Sequence, residues 1–268
     1  PCLDRAKMGP TVRTDDRVGL DRSLWKIRES AFAAGGFVGQ ESFMTAGEIL
    51  TLAHRAGVGR GVSVLDVCCG VAGAGLLITR ELGCTYLGVD ANPASVAVAR
   101  DRARAAGLDA RFEAARIPPL PCGPFDVVLL LETMLAFSDK QSVLTEVASA
   151  LPVGGRFAFT VEEGAPLTDS ERNRMPDADT VWPIPLCRLL SALEAVGLRI
   201  RWQADSSRSH AATVGALVEA YAATASRAGT AVPGSLVELL ASHRLWGDWL
   251  HQGRMRKLAF VVERIGSR

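Results

Sequence analysis

The sequence predicts an α/β protein on a doubly wound, seven-stranded sheet, mostly parallel with an antiparallel last strand, plus helical caps. Three observations carry that expectation. Short apolar runs of strand length alternate with segments of helical period, glycine or proline marks most changes of period, and an acidic residue closes each of the first two strands.

The elements follow in order. Residues 1–24 are charged and lack apolar periodicity, which reads as a mobile arm. Trp25, Ile27, Phe32, Phe37 and Phe43 then dot a stretch interrupted by Gly35, Gly36 and Gly39, the pattern of short helices around a hinge. A helix over 45–57 stops at Gly57, as a glycine cap would stop it. Val62, Val64, Leu65 and Val67 make a buried strand, Leu76 to Leu82 is helical, and Tyr86 to Val89 is a second strand, together a βαβ unit. Pro93 opens the next helix, where its missing amide hydrogen costs nothing, and Gly107 ends it. Strands near 110–113, 125–131 and 156–161 follow, with an amphipathic helix at 139–151 between the last two. The final third reads as a helix at 185–196, a strand at 198–203, helices near 208–227 and 234–250, and a strand at 256–263. The roughly 50 residues between the last two strands exceed what a hairpin needs, so they form an insertion. Residues 1–60 are thus expected to be an arm and cap, and 61–268 a single domain with a helical insertion at 205–252.

Composition narrows the function classes. Lys and Arg number 30 against 29 for Asp and Glu, and the net charge of +1 supplies no field for a polyanion, so no nucleic-acid partner is expected. The longest apolar runs, such as Val127 to Leu131, fall short of a membrane span, and no signal-like segment opens the chain. A cytoplasmic protein without a membrane partner is the expectation. Six cysteines at 2, 68, 69, 84, 122 and 187 match no zinc spacing and are read as reduced thiols, with no metal site.

The chemistry concentrates at residues 62–92. Val64-Leu65-Asp66-Val67-Cys68-Cys69-Gly70-Val71-Ala72-Gly73 sets an acid at a strand end and small residues in the turn that follows, so backbone amides can approach a ligand closely. Asp90, at the end of the second strand, suits both hydroxyls of a ribose. Gly70, Gly73 and Gly75 give G-x-x-G-x-G rather than the G-x-G-x-x-G of dinucleotide binding, which disfavours hydride transfer.

At these residues the chain resembles the class I S-adenosylmethionine (SAM)-dependent methyltransferases, a Rossmann-like family, in particular the small-molecule group that includes the tocopherol and ubiquinone/menaquinone enzymes. Cys68 and Ala72 replace the first and third glycines of the family loop, while Gly70 remains. The resemblance implies SAM as cofactor, with Asp66 ordering the methionine amino group, Cys68 and Gly70 along the methionyl part, and Asp90 with Ala91 at the ribose. The acid that holds adenine in the family is missing; Ala115, Arg116 and Ile117 occupy that sub-site, where backbone groups and Ile117 packing take its place. Phe125-Asp126-Val127-Val128 followed by Glu132 fits the element whose strand end faces the methyl group, and Leu151 to Arg156 fits the turn into the fifth strand.

The acceptor is expected to be a small organic molecule, apolar in part. Methyl transfer is an in-line displacement that mainly needs alignment and exclusion of water, with a base where the acceptor carries a proton. The candidate bases are His210 and Glu162, with Glu132 and Glu163 beside them. His210 is alternatively a helix-start histidine exposed to solvent or capping a neighbour. Phe37 and Trp182 are the candidate acceptor contacts, Trp182 alternatively filling a core edge. Trp246 and Trp249 leave open lid packing or the contact of a homodimer. A non-methylating cyclisation or rearrangement, and a non-catalytic SAM-binding regulator, stand as the competing readings.

Overall fold

The computed structural model describes residues 22–228 and 233–266, so all but the last three residues of the expected arm lie outside the described residues. Arg22 to Leu24 already belong to the first helix, α1 (Arg22–Ser30). The strands are β1 (Ser63–Val67), β2 (Thr85–Asp90), β3 (Ala110–Ala114), β4 (Val127–Leu130), β5 (Arg156–Glu163), β6 (Leu198–Asp205) and β7 (Arg256–Arg264). They form a single seven-stranded sheet in the order β3-β2-β1-β4-β5-β7-β6, which bears out the predicted architecture. The first five pair in parallel, whereas β7 runs antiparallel to both β5 and β6. The chain therefore winds outward from β1 to β3 and returns to start again at β4. The crevice between β1 and β4, at their C-terminal ends, is the switch point at which such sheets bind ligands.

Alternation along the strands places a core on each face. Val64, Tyr86 and Val127 pack beneath α2 (Ala46–Arg55), α3 (Gly73–Leu82) and α4 (Pro93–Ala105). Leu65, Val67, Val128 and Phe159 pack beneath α5 (Lys140–Ala150) and α7 (Leu186–Ala195), while α6 (Asp169–Arg174) lies in the β5–α7 connection. Local signals set the ends: Thr45 and Glu48 close a reciprocal capping box on α2, and Asn92 caps α4 ahead of Pro93.

The insertion is a pair of packed helices, α8 (Ser207–Ala228) and α9 (Gly234–His251), between β6 and β7. The amino-terminal and carboxy-terminal caps are joined, because Leu24 of α1 packs with Leu217, Tyr221 and Leu236 of α8 and α9. Trp246 and Trp249 meet edge to face at 5.3 Å and are buried with Leu167, Met175 and Met255, so they fill the cap core and offer no surface to a second subunit. Cys68, Cys69, Cys84 and Cys187 are free thiols; Cys122 is disulfide-bonded and departs from the expectation of reduced cysteines. Among the described residues no helix is long and apolar enough to cross a membrane.

Gly73, the first residue of α3, packs under the segment that crosses from α1 to α2. A Cβ there would stand 2.3 Å from the carbonyl oxygen of Gly39. Gly73→Ala is therefore expected to lower stability by about 1–3 kcal/mol, the usual cost of overpacking, with a matching fall in Tm on thermal unfolding.

Candidate active site

The turn after β1 reverses the chain through three left-handed residues, Cys68 (φ 61°), Gly70 (φ 54°) and Ala72 (φ 60°). Two of them carry a Cβ, and that conformation costs an L-residue roughly 1–2 kcal/mol. The turn is held by hydrogen bonds from the Cys69 amide to the Val89 carbonyl (3.0 Å) and from the Ala72 amide to the Cys69 carbonyl (2.9 Å). Asp90 joins this turn to the next: one oxygen accepts from the Gly70 amide at 2.9 Å and the other from the Asn92 amide at 2.8 Å. Above the turn lies a cavity of about 270 Å³, lined by Gln40 to Phe43, Asp66, Cys68 to Val71, Gly73, Ala74 and Leu131 to Thr133.

Asp66 is buried at the floor of the cavity, where Tyr86 donates its hydroxyl to one carboxylate oxygen at 2.6 Å. Burial pushes the Asp66 carboxyl up, the Tyr86 bond only partly offsets it, and Asp90 adds to the rise, bringing the group to about 7. Near neutrality Asp66 is thus shared between its charged and neutral forms. The Cys68 and Cys69 thiols are pushed far up by burial and by the two aspartates, so both are uncharged, small wall residues without nucleophilic character.

The amino-terminal strap from Gly36 to Thr45 supplies the opposite wall. Its carbonyls are gripped from both sides. Arg28 of α1 donates to Gln40, Glu41 and Ser42, and Arg102 of α4 donates to Val38 and Gly39 at 2.9 Å each. Gln40 fastens it internally, reaching Met44 at 2.8 Å. Sequence reasoning passed over Gln40, Glu41 and Ser42, because contacts to backbone carbonyls leave no residue pattern.

Glu132 forms the wall beyond β4, in a left-handed conformation (φ 63°). Its amide donates to Thr160 Oγ1 at 2.7 Å and its carboxylate accepts from the Phe43 amide at 2.6 Å. The same carboxylate pairs with the buried Lys257 ammonium at 2.9 Å and lies 3.5 Å from His210 Nδ1. Lys257 also pairs with Glu162, its register partner across β5 and β7. Burial alone would raise the Glu132 carboxyl, but Lys257 and His210 outweigh it and hold the group at about 2. Burial pushes the His210 imidazole down against the pull of Glu132, so it is neutral near pH 7.

Of the residues read from sequence, Asp66, Cys68, Gly70 and Glu132 line the cavity, and Asp90 braces its loop. His210 is buried rather than exposed, which removes the solvent-exposed alternative. Neither it nor Glu162 lines the cavity: His210 stands behind Glu132 and the Phe43 ring, and Lys257 draws Glu162 inward. Glu163 pairs instead with Arg256 at 2.8 Å. Ala91 is exposed beside Asp90, and none of Ala115, Arg116 and Ile117 lines the cavity: the Ala115 amide extends the β2–β3 pairing to the Asp90 carbonyl at 2.9 Å, and Ile117 packs into the core. Phe37 sits in a cluster with Trp25 and Phe32, and the neighbouring Phe43 takes the place at the wall. Trp182 also lies away from the cavity; Arg172 stacks over its ring at 4.2 Å, so its cation-binding face is filled from within the chain.

Comparison with known proteins matches this construction. Residues 59–181 fit a family model described as a methyltransferase domain. Over that segment, somewhat under half of the chain, it is similar to methyltransferase domains. It is similar to methyltransferase GfsG of Streptomyces halstedii, 38% identical over 120 residues that cover 42% of this chain and 43% of that one. It also resembles ajmaline N-methyltransferase of Rauvolfia serpentina, 26% identical over 161 residues and 55% of each chain. The matched stretch thus spans about half the length of these relatives or less. Among solved structures, the cyclopropane synthase MmaA2 of Mycobacterium tuberculosis superposes with a TM-score of 0.75 over 91% of this chain and 95% of that one, at 14% identity. The [4+2]-cyclase SpnF superposes with a TM-score of 0.73 over 91% and 92%, at 19% identity. These likenesses establish the fold.

The charge cluster around Lys257 has a pH signature. A folded-state Glu132 value near 2, below the ordinary 4.5, contributes stability that is complete above about pH 4.5 and lost as pH falls toward 2. Glu132→Gln is expected to flatten stability over that interval and to lower it at pH 7 by on the order of 3 kcal/mol, read from denaturant unfolding across pH. Lys257→Met, which strands two buried carboxylates, should cost about 3–5 kcal/mol at pH 7 in the same measurement.

Proposed function

We propose that this protein transfers a methyl group from SAM to a small organic acceptor, in secondary metabolism. The observation that carries the reading is the cavity at the β1–β4 switch point, walled by the left-handed loop whose Gly70 amide is tied to Asp90, within a domain that matches methyltransferases. The residues present fit the cofactor: Asp90 offers a carboxylate to ribose hydroxyls, Gly70 and Cys68 leave room along the methionyl part, and Gly73 opens α3 without a side chain toward the strap. Ala91 and the segment Ala115 to Ile117 border the nucleoside end as exposed or backbone contacts.

When bound, SAM supplies an electrophilic methyl on a sulfonium. The chain's own work is alignment and exclusion of water. Glu132 and the strap close the cavity from two sides, and the acceptor enters beside Leu131, Thr133 and Phe43. Lys257 and the Phe43 amide hold Glu132 ionised, and His210 and Glu162 act as positioning residues behind it. We read residues 1–60 as arm and cap, and the 205–252 insertion as the cap that shapes the acceptor pocket. Balanced charge supports a small molecule over nucleic acid as partner, and we extend the proposal to a cytoplasmic setting. The ajmaline N-methyltransferase among the relatives keeps nitrogen in view as an acceptor beside oxygen and carbon.

A second reading, a cyclisation on the same cofactor fold, draws on the [4+2]-cyclase among the structural neighbours. Acceptors converted in the presence of methyl-labelled SAM separate the two, since a labelled product supports transfer and an unlabelled one supports spectator use. For the cofactor itself, calorimetry should show SAM and S-adenosylhomocysteine binding. Asp90→Asn, which removes the charge and keeps one of the two oxygens that accept from backbone amides, should weaken both at least about tenfold, equivalent to about 1.4 kcal/mol. Unchanged affinity in that variant, or no binding by the wild type, would overturn the reading.

A further inference from the structure

Glu41 stands on the clamped strap, and its side chain lines the cavity directly over the cofactor loop. Its Oε2 lies 3.9 Å from the position a Cβ would take on Gly70, the residue whose amide binds Asp90. The Glu41 backbone is fixed by Arg28, whose guanidinium is spent on three carbonyls of the strap. The Glu41 carboxylate itself makes no hydrogen bond or ion pair among the described residues. Ser42 Oγ, on the same wall, is buried without a partner, while Glu41 keeps an exposed edge at the cavity mouth. On the floor opposite, Asp66 is committed to Tyr86 at 2.6 Å and carries only part of a charge near neutrality.

Among the described residues lining the cavity, Glu41 is the carboxylate left without a partner, and a ligand with a cationic group would supply one. We propose that Glu41, rather than Asp66, binds the α-ammonium of the cofactor's methionyl moiety, so that the cofactor fastens the amino-terminal strap over the cavity. This rests on the cofactor reading above and extends it to a residue outside the matched family segment, which begins at residue 59. Desolvation and two charged groups, Arg28 and Asp90, bear on the Glu41 carboxyl. Partial desolvation and the neighbouring Asp90 push it up and Arg28 pulls it down, so a cation beside it favours the charged form.

The test compares two probes by calorimetry: S-adenosylhomocysteine, which carries the ammonium, and 5′-methylthioadenosine, which keeps the nucleoside and thioether and lacks the amino-acid portion. Glu41→Gln preserves shape and removes the charge from a side chain that no internal contact depends on. The expected result is a tenfold or greater loss of S-adenosylhomocysteine affinity, with 5′-methylthioadenosine affinity within twofold of wild type. Hydrogen exchange gives a second readout: S-adenosylhomocysteine should slow the amides of residues 38–44 in the wild type, while 5′-methylthioadenosine should not, and Glu41→Gln should abolish the difference. Unchanged S-adenosylhomocysteine binding in the variant overturns the assignment, and so does an equal loss for both probes, which would place Glu41 on the nucleoside. A wild type that binds neither probe instead fails the cofactor reading, and this inference with it.

Discussion

The buried ammonium of Lys257 is the contact on which the rest of this site depends. It is 1% exposed and has two carboxylates, Glu132 at 2.9 Å and Glu162, within ion-pair reach. Burial by itself would drive its proton off, yet the two glutamates more than compensate, and the group is held charged above its ordinary range. An ion taken out of water costs several kcal/mol and recovers that only in good geometry, so the elements that bring these groups together are constrained to their positions. Those elements are β7, β5 and the end of β4. The Lys257 backbone adds α8, since its amide donates to Ser207 Oγ at 2.9 Å and its carbonyl accepts from the Ser206 amide at 2.8 Å.

From that anchor the strain at the cavity becomes intelligible. Cys68, Ala72 and Glu132 are the described non-glycine residues with left-handed backbone, and all three stand on or directly beneath the cavity wall. Such conformations persist only where surrounding contacts over-determine them. For Glu132 these are the Thr160 hydroxyl, the Phe43 amide and Lys257. For the loop they are Asp90 and the β2 carbonyls. The left-handed turns bring backbone close to the cavity, which is what a nucleoside ligand requires of it.

How much of this was legible in the sequence follows from the physics of each part. The sheet was legible because a buried strand is a short apolar run and a crossover helix has its own period; helix ends fell close to the glycines and prolines that set them. Asp66, Gly70 and Asp90 were legible because the strand-end acid and small-residue turn form a local pattern. The Lys257 cluster was not, because it joins residues 132, 162, 210 and 257 through an antiparallel register. Lys257 lies next to Arg254 and Arg256, and the three read as one solvated basic tract until strand alternation turns Lys257 inward. Trp182 misled because its neighbour in space, Arg172, supplies the cation that a ligand was expected to bring. The strap was invisible for a different reason: its partners are carbonyl oxygens, which every sequence has.

Strap and cluster meet at Phe43. Its amide is bonded to Glu132, its ring stands edge-on to His210 at 4.8 Å and to His243 at 5.1 Å, and Arg28 lies over the ring at 5.2 Å. Lifting the strap would therefore remove a hydrogen bond from the Glu132 carboxylate and expose the two imidazoles together. His243 is held down to about 4 by burial and the nearby Arg28, so it enters that junction uncharged, with Nδ1 engaged by the Leu239 carbonyl at 2.7 Å. Opening of the amino-terminal wall and loosening of the charge cluster are thus one event, since a single residue serves both. The amino-terminal strap, the helical insertion and the end of β4 meet at that residue, so the boundary between caps and sheet, clear in the sequence, disappears in the folded chain.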